Sequence, residues 1–419
     1  MSARTTSLAP SATTPRPVSL RPPVALLLAC VFLFSISWEN AVVVSGLGTV
    51  GRLTGALAVL GWLTHVLRHG RISRLSAGSA ALVVYLLYAT ATYFVRVDEN
   101  SAFDTAITTL QLGIVSLLLW DLIHTRTQLM LALVSIVAGA SVSAILTILN
   151  FLGQQPTRFY DRYAGGNFDP NELGLILSLS VPLAWWLARE LRLPLLRAAM
   201  LLYPPAALVA LILTGSRAAL IAYGCALLYV LYDLFFGTTF RKTVRVGLLA
   251  SLVACGWGVS VLAPGSVARL STIGTELTRG NLNDRRDIWA AAWTLSGTSP
   301  VLGIGVGRLA DDLKPYFGQA IVAHNTLITV AVEGGVIGTL LYAAYVALLL
   351  LNLRALRGSL WPMWLACLAC LAVGTFTLTW NYRKLTWVLP TLALCSARLC
   401  RTEDLELAGS RPLPEHDSA

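Results

Sequence analysis

Charge is scarce in this chain. Only 12% of its 419 residues are Asp, Glu, Lys or Arg, about half the share found in a soluble domain. That excludes an ordinary water-soluble globule. Acid is scarcer than base, with 21 Asp and Glu against 31 Lys and Arg. No two carboxylates have a spacing that suggests a Mg²⁺ site, so no metal and no cofactor is expected. The alternating ten-residue segments of a β-barrel are lacking. Cysteine is present seven times, almost always inside apolar stretches. Cys367 and Cys370 form a CxxC within LACLAC, but no second pair or nearby histidine completes a metal site. They read as small buried apolar side chains.

What is abundant is apolar length. The chain is 56% hydrophobic, with a mean hydropathy of +0.69. Runs of roughly 17–25 apolar residues recur, each able to cross ~30 Å of hydrocarbon as a helix. The expected fold is an all-α polytopic membrane protein of about twelve spans. These fall near 22–38, 46–67, 76–95, 104–122, 128–152, 171–188, 197–215, 217–236, 246–263, 325–352, 361–380 and 384–400. Residues 1–21, rich in Ser, Thr and Pro, read as a disordered tail before an uncleaved first helix. The domain reading is a membrane domain of nine spans over 22–263, a long loop with short helices over 264–324, three spans over 325–400, and a tail over 401–419. The string LLAC ending at Cys30 loosely resembles a lipoprotein cleavage site. With so much membrane following, it is read as coincidence.

Orientation follows from the basic residues of the short loops. With the N-terminus in the cytoplasm, that side collects Arg4, Arg16, Arg21, Arg68, Arg71, Arg74, Arg126, Arg189, Arg192, Arg197, Arg241, Lys242, Arg245, Arg354, Arg357, Arg398, Arg401 and Arg411. The other side, without its long loop, keeps Arg52, Arg96, Arg158, Arg162, Arg217, Arg383 and Lys384. The excess marks the cytoplasmic face. An even span count puts both termini there and leaves 264–324 outside. The formal net charge of +10 is then explained by topology and anionic lipid rather than nucleic acid, which is not expected as a partner.

Three outer segments carry the chemistry. The first runs from Arg158 and Arg162 through Gly165-Gly166 to Asp169-Pro170-Asn171. Its Gly, Pro and Asn are turn residues, and Asn171 can cap the next helix. The turn does not call for two arginines, so Arg162 is either part of the loop or functional. The second is Gly215-Ser216-Arg217, at a tight turn between two spans. An arginine costs roughly 2.5–3.5 kcal/mol at mid-membrane and less near the interface. Arg217 either reaches for headgroups or forms an anion site, since a guanidinium forks onto phosphate oxygens and keeps its proton. The third is the long loop. Asn283-Asp284-Arg285-Arg286 leads into an amphipathic helix from Asp287 to Leu295, with Ile288, Trp289 and Trp293 on one side, expected to lie along the interface. Pro300 and Gly303-Ile-Gly305-Val-Gly307 follow as a flexible turn. Their spacing is not that of a dinucleotide site.

The loop ends at His324-Asn325. Of five histidines, His324 alone combines the outer face with a helix mouth; His65, His69 and His124 fall on the cytoplasmic side, and His416 is in the tail. An ordinary imidazole pKa of ~6.5 leaves much of it neutral and able to accept a proton. Glu333 lies nine residues on, half a turn out of phase and ~13 Å deeper in a continuous helix. It is therefore read as a buried carboxylate paired with an arginine or backbone group from another span. Gly334, Gly335 and Gly338 are read as close-packing positions.

Several arginines and one base at the outer surface suit transfer from a lipid diphosphate. Cleaving a sugar–diphosphate bond leaves concentrated negative charge, which fixed guanidiniums stabilise. The attacking hydroxyl loses a proton, and a positioned base contributes typically 10²–10⁴-fold.

The pattern His324-Asn325, nine residues, then Gly335-x-x-Gly338-Thr339 resembles the signature of the bacterial O-antigen ligase and polysaccharide polymerase superfamily. So do Arg162 with Gly165-Gly166-Asn-Phe168-Asp169-Pro170-Asn171, Gly215-Ser216-Arg217, and Arg285-x3-Trp289 followed by Pro300 and Gly303-x-Gly305. Their order and the late outer loop extend the resemblance over about 20–400. It implies a membrane glycosyltransferase of C-type architecture, with its termini and one face in the cytoplasm of a bacterial cell. The donor would be an undecaprenyl-diphosphate-linked glycan. The acceptor would be the lipid A core in a ligase or a growing polysaccharide in a polymerase, with inversion at the sugar. Carried over, Arg217 and Arg285 hold the diphosphate and His324 activates the acceptor hydroxyl. Arg162 is a weaker carry-over, and Arg286 can stand in for Arg285. Asn325, Glu333, Asp169 and Asn171 would support them. Some ligases carry a further histidine after the Gly-Thr, where this chain has Leu340 and Leu341. The competing classes are a non-enzymatic transporter of lipid-linked oligosaccharide, which would show repeated halves with broken helices, and a transferase decorating proteins or teichoic-type polymers.

Overall fold

The computed structural model describes residues 23–409 except 47, 98–99, 158–161 and 275–283. Arg158 and Asn283 therefore lie outside the described residues. The architecture is helical. A first group comprises α1 (Val24–Ser35), α2 (Val50–His69), α3 (Ala77–Ala91), α4 (Asn100–Leu122), α5 (Arg126–Leu152), α6 (Pro170–Glu190), α7 (Pro194–Thr214), α8 (Arg217–Phe236) and α9 (Lys242–Leu262). The loop carries α10 (Pro264–Ser271), α11 (Arg285–Ser296), α12 (Leu309–Asp312) and α13 (Lys314–Phe317). The chain returns through α14 (Thr326–Leu353), α15 (Leu360–Thr377) and α16 (Lys384–Gly409). A two-residue hairpin, β1 (Val43–Val44) and β2 (Gly48–Thr49), is the described sheet.

Among the described residues ten helices, α2 to α9 with α14 and α15, are long and apolar enough to cross a membrane. Of the twelve expected spans, the first and last form helices at the expected places but fall outside that set. α1 has only 12 residues, ~18 Å of rise, and the second half of α16 is polar.

Local chemistry fixes the helix ends. Thr49 caps α2, and Gly70 closes it in the left-handed region. Thr125 and Gln128 form a reciprocal capping box on α5. α6 starts on Asp169, whose carboxylate accepts from the N–H groups of Asn171 (2.8 Å) and Glu172 (3.3 Å), with Pro170 in the first turn. The cap is thus Asp169 and not Asn171 as expected, because proline takes the first helical position and moves the cap one residue ahead. From Leu173 to Ala188 every residue of α6 is buried, so α6 is the central helix. It packs against α5, α7, α8 and α15.

α14 is not one straight rod. At Gly335 the backbone takes φ 62° and ψ −161°, a region essentially reserved for glycine. The Pro300–Gly305 segment fills the break. Val336 and Ile337 donate to the carbonyls of Pro300 (2.9 Å) and Val301 (3.2 Å), while Ile304 and Gly305 donate to those of Val332 (3.0 Å) and Glu333 (3.1 Å). The loop thereby satisfies the backbone groups that the break exposes on both half-helices. A Cβ on Gly335 would lie 2.4 Å from the Gly303 nitrogen, and one on Gly303 would lie 2.2 Å from the Glu333 oxygen. The two glycines cross backbone to backbone. The expectation of a continuous helix beside a flexible glycine turn is corrected: the turn is hydrogen-bonded into the helix.

Candidate active site

The starts of α6, α8, α14 and α16 share the loop end of the bundle. Arg383 beside α16 pairs with Glu172 in the first turn of α6, and Lys384 reaches Glu39 at 2.6 Å. Arg162 connects the α7–α8 turn to α6. Its Nε donates to the Thr214 carbonyl (2.5 Å) and its Nη2 to Asn171 Oδ1 (2.9 Å). It is only 3% exposed. Through these contacts its guanidinium holds the turn that carries Arg217.

Arg217 is the first residue of α8. Gly215 turns the chain in the left-handed region (φ 57°), and Ser216 caps the helix through the Ala219 N–H. Arg217 is therefore fixed at a helix N-terminus, where the positive end of the helix dipole adds to its own charge. Its Nη1 donates to Thr272 just past α10 (3.0 Å).

Arg285 is the first residue of α11, which starts two residues earlier than expected. Arg285 is half-buried and Arg286 exposed. Burial and the neighbouring charge of Arg217 lower the pKa of Arg285. α11 packs on α14, burying Ile288 and Ala292 with Ala323, Ile328 and Val332. Trp289 donates from Nε1 to the Ala323 carbonyl at 2.8 Å, next to His324, whereas Trp293 remains 55% exposed. The tryptophans do not share one environment.

His324 has a left-handed backbone (φ 50°), an unusual conformation for a residue with a Cβ. Asn325 then caps α14, its Oδ1 accepting from the Ile328 N–H at 3.1 Å. Burial, and then the guanidinium of Arg285, push the imidazole pKa below its ordinary value, while Asp169 acts in the opposite sense. Arg217 acts on Arg285, and Arg285 on His324. Asp169 is the carboxylate that acts on the imidazole.

Glu333 is buried and does not meet an arginine as a primary partner. It accepts the Leu309 N–H (3.2 Å) at the start of α12 and the hydroxyl of Tyr382. Sequence reasoning missed Tyr382, the Glu172–Arg383 pair, and Arg308, which is fully buried and donates to the Arg96 carbonyl. Arg383 did stand out in the sequence as one of the few outer basic residues, but its partner Glu172 lies 211 residues away. Nothing in the sequence marked Tyr382. Cys367 and Cys370 are buried with free thiols. Among the described residues no group of three His, Cys, Asp or Glu is placed to hold a metal ion.

No curated protein matches the chain significantly. The O-antigen ligase family model matches residues 205–343. That stretch contains Arg217, Arg285, His324 and the Gly303–Gly335 crossing, and the match supports the O-antigen ligase superfamily as the one to which this chain is related.

Proposed function

We propose that the protein transfers a glycan from an undecaprenyl-diphosphate-linked donor to an acceptor hydroxyl, at the outer face of a bacterial cytoplasmic membrane, with both termini in the cytoplasm. One observation carries this reading: Arg285 acts on the charge state of His324, and Arg217 on that of Arg285, where α8 and α11 begin and the long loop runs into α14.

In this reaction the acceptor oxygen attacks the anomeric carbon of the donor sugar. The bond from that carbon to the diphosphate oxygen breaks, with inversion. The acceptor proton goes to His324, and the bonding pair leaves with the diphosphate. Arg217 and Arg285 meet the charge that develops there. The lowered pKa of His324 suits the task, because the imidazole stays neutral and able to accept a proton to a lower pH than usual. Arg162 supports the Arg217 turn, Asn325 the mouth of α14, and Asp169 and Asn171 the start of α6.

The favoured acceptor is the lipid A core, as in a ligase. A polymerase adding to a growing polysaccharide is the second reading. It is favoured by Leu340 and Leu341 after the Gly-Thr pair, where Leu340 is 64% exposed on the side of α14. The broken helix of α14 is a feature of transporters, but here the break is filled by the chain's own loop, which favours a fixed catalytic site.

The test is transfer by purified protein in lipid, from a polyprenyl-diphosphate glycan to isolated core lipid or to a second donor chain. Product on core lipid supports a ligase, and lengthened donor supports a polymerase. No product with either acceptor contradicts the transferase reading. In cells lacking the gene, long-chain donor accumulates if the protein is a ligase and single repeats if it is a polymerase.

A further inference from the structure

The long loop is tied into the helices at a place set apart from the charged cluster. Glu333 accepts there from Leu309 N–H and from the Tyr382 hydroxyl, and its carbonyl accepts from Gly305 N–H. The Tyr382 oxygen in turn accepts the Gly307 N–H at 3.1 Å. Val306 N–H reaches Thr92 Oγ1 at 3.1 Å, and Arg96 forks onto Asp312 at 3.1 and 3.2 Å. The segment so bound lies in the chain between Arg285 and His324. Tyr382 also directly precedes Arg383 and Lys384, which pair with Glu172 and Glu39.

We propose that Glu333 and Tyr382 are positioning residues for the transfer site, holding the Gly305–Leu309 segment against α14 and α16 so that Arg285 and His324 keep their relative placement. The proposal rests on the transferase reading above. Neither side chain touches the charged cluster in a contact described here. Both act through backbone: Glu333 and Tyr382 together hold three loop N–H groups, of residues 305, 307 and 309. A misplacement of ~1 Å in a reacting group is enough to cost ~10²-fold in rate. The two residues also line a small cavity with Tyr85, Tyr88 and Asn381. Tyr382→Phe removes one oxygen and keeps the ring.

The experiment compares wild type, Tyr382→Phe, Glu333→Gln and Glu333→Ala in lipid. Amide hydrogen exchange is followed over residues 303–312, alongside transfer kinetics as a function of pH. Tyr382→Phe and Glu333→Ala are expected to speed exchange of that peptide about tenfold and to lower kcat about tenfold or more, with the donor KM within about threefold of wild type. Glu333→Gln, which keeps one acceptor oxygen, falls between. The acid limb of the rate profile moves to higher pH in both strong variants. Arg285 from α11 and Asp169 at the start of α6 are the charged groups that act on His324, and displacing Arg285 lets the imidazole protonate earlier. A purely structural tether would leave that limb in place. Unchanged exchange overturns the proposal, as does faster exchange with kcat and acid limb unmoved. Should Glu333→Ala fail to fold, Tyr382→Phe carries the test. A wild-type protein that transfers nothing sinks the transferase reading instead, and the exchange comparison still decides whether the tether exists.

Discussion

Two sets of arginines in the helix bundle differ in what acts on them. Away from the long loop, Arg126, Arg189 and Arg398 are matched to acceptors. Arg126 meets Glu190 at 2.8 Å, Arg189 meets Asp233 at 2.7 Å, and Arg398 donates to the Trp120 and Ile123 carbonyls while lying 4.0 Å over the Trp120 ring. Those contacts tie helices together and explain the residues fully. At the loop end Arg383 and Arg96 are matched too, to Glu172 and Asp312, but Arg217 acts on Arg285 and Arg285 on His324, like charge on like. Such a grouping weakens the fold rather than strengthening it. The proposed function gives that grouping a use, as a place where negative charge is received.

The comparison is broken most severely at the loop end. His324→Ala and Arg217→Ala are each expected to cut glycan transfer by about 10²-fold or more, with helix content and melting temperature near wild type. Transfer at the wild-type rate in either variant would remove the distinction between the ends. Arg126→Ala, at the other end, is expected to leave transfer intact and to cost at most about 1 kcal/mol, since that pair is partly exposed.

Next in size are backbone effects. Gly335→Ala and Gly303→Ala are each expected to destabilise by about 3 kcal/mol or more, through forced φ and backbone overlap. Gly70→Ala also sits at positive φ but meets open space, and should cost only about 1 kcal/mol. Thermal melts of the three in lipid check this. Equal losses would mean that the crossing of α14 by the loop is not a structural joint. Arg189→Ala leaves Asp233 buried without its cation and should cost roughly 2–4 kcal/mol with little direct effect on chemistry.

A smaller effect concerns pH. With a lowered pKa, His324 remains a base below ~6.5. The acid limb of the rate profile should therefore fall below that value, and Arg285→Ala should raise it. A limb that stays put in Arg285→Ala would mean the arginine does not act on the base. The smallest expected effect is none: EDTA should leave transfer unchanged, and inhibition reversed by Mg²⁺ would reveal a metal requirement.

Much of this was legible in the sequence, and the reasons are physical. The ten spanning helices stand near their expected bounds because apolar length is a one-dimensional property. Arg217 begins α8, and His324 precedes Asn325, the cap of α14, close to where the sequence placed them, because turn and cap residues mark helix starts. The break at Gly335 was not, because glycine serves equally for close packing and for positive φ, and only the crossing partner Gly303 decides between them. Arg162 looked like its fellow outer arginines, but its burial depends on Asn171 and Thr214 meeting it. Tyr382 carried no signal at all, since its partners Glu333 and Gly307 are supplied by other parts of the chain.

The most direct measurement is made on purified protein in lipid, supplied with polyprenyl-diphosphate glycan and acceptor. The wild-type chain should form glycosylated acceptor while His324→Ala and Arg217→Ala, still folded, form almost none. Equal rates in all three would contradict the account.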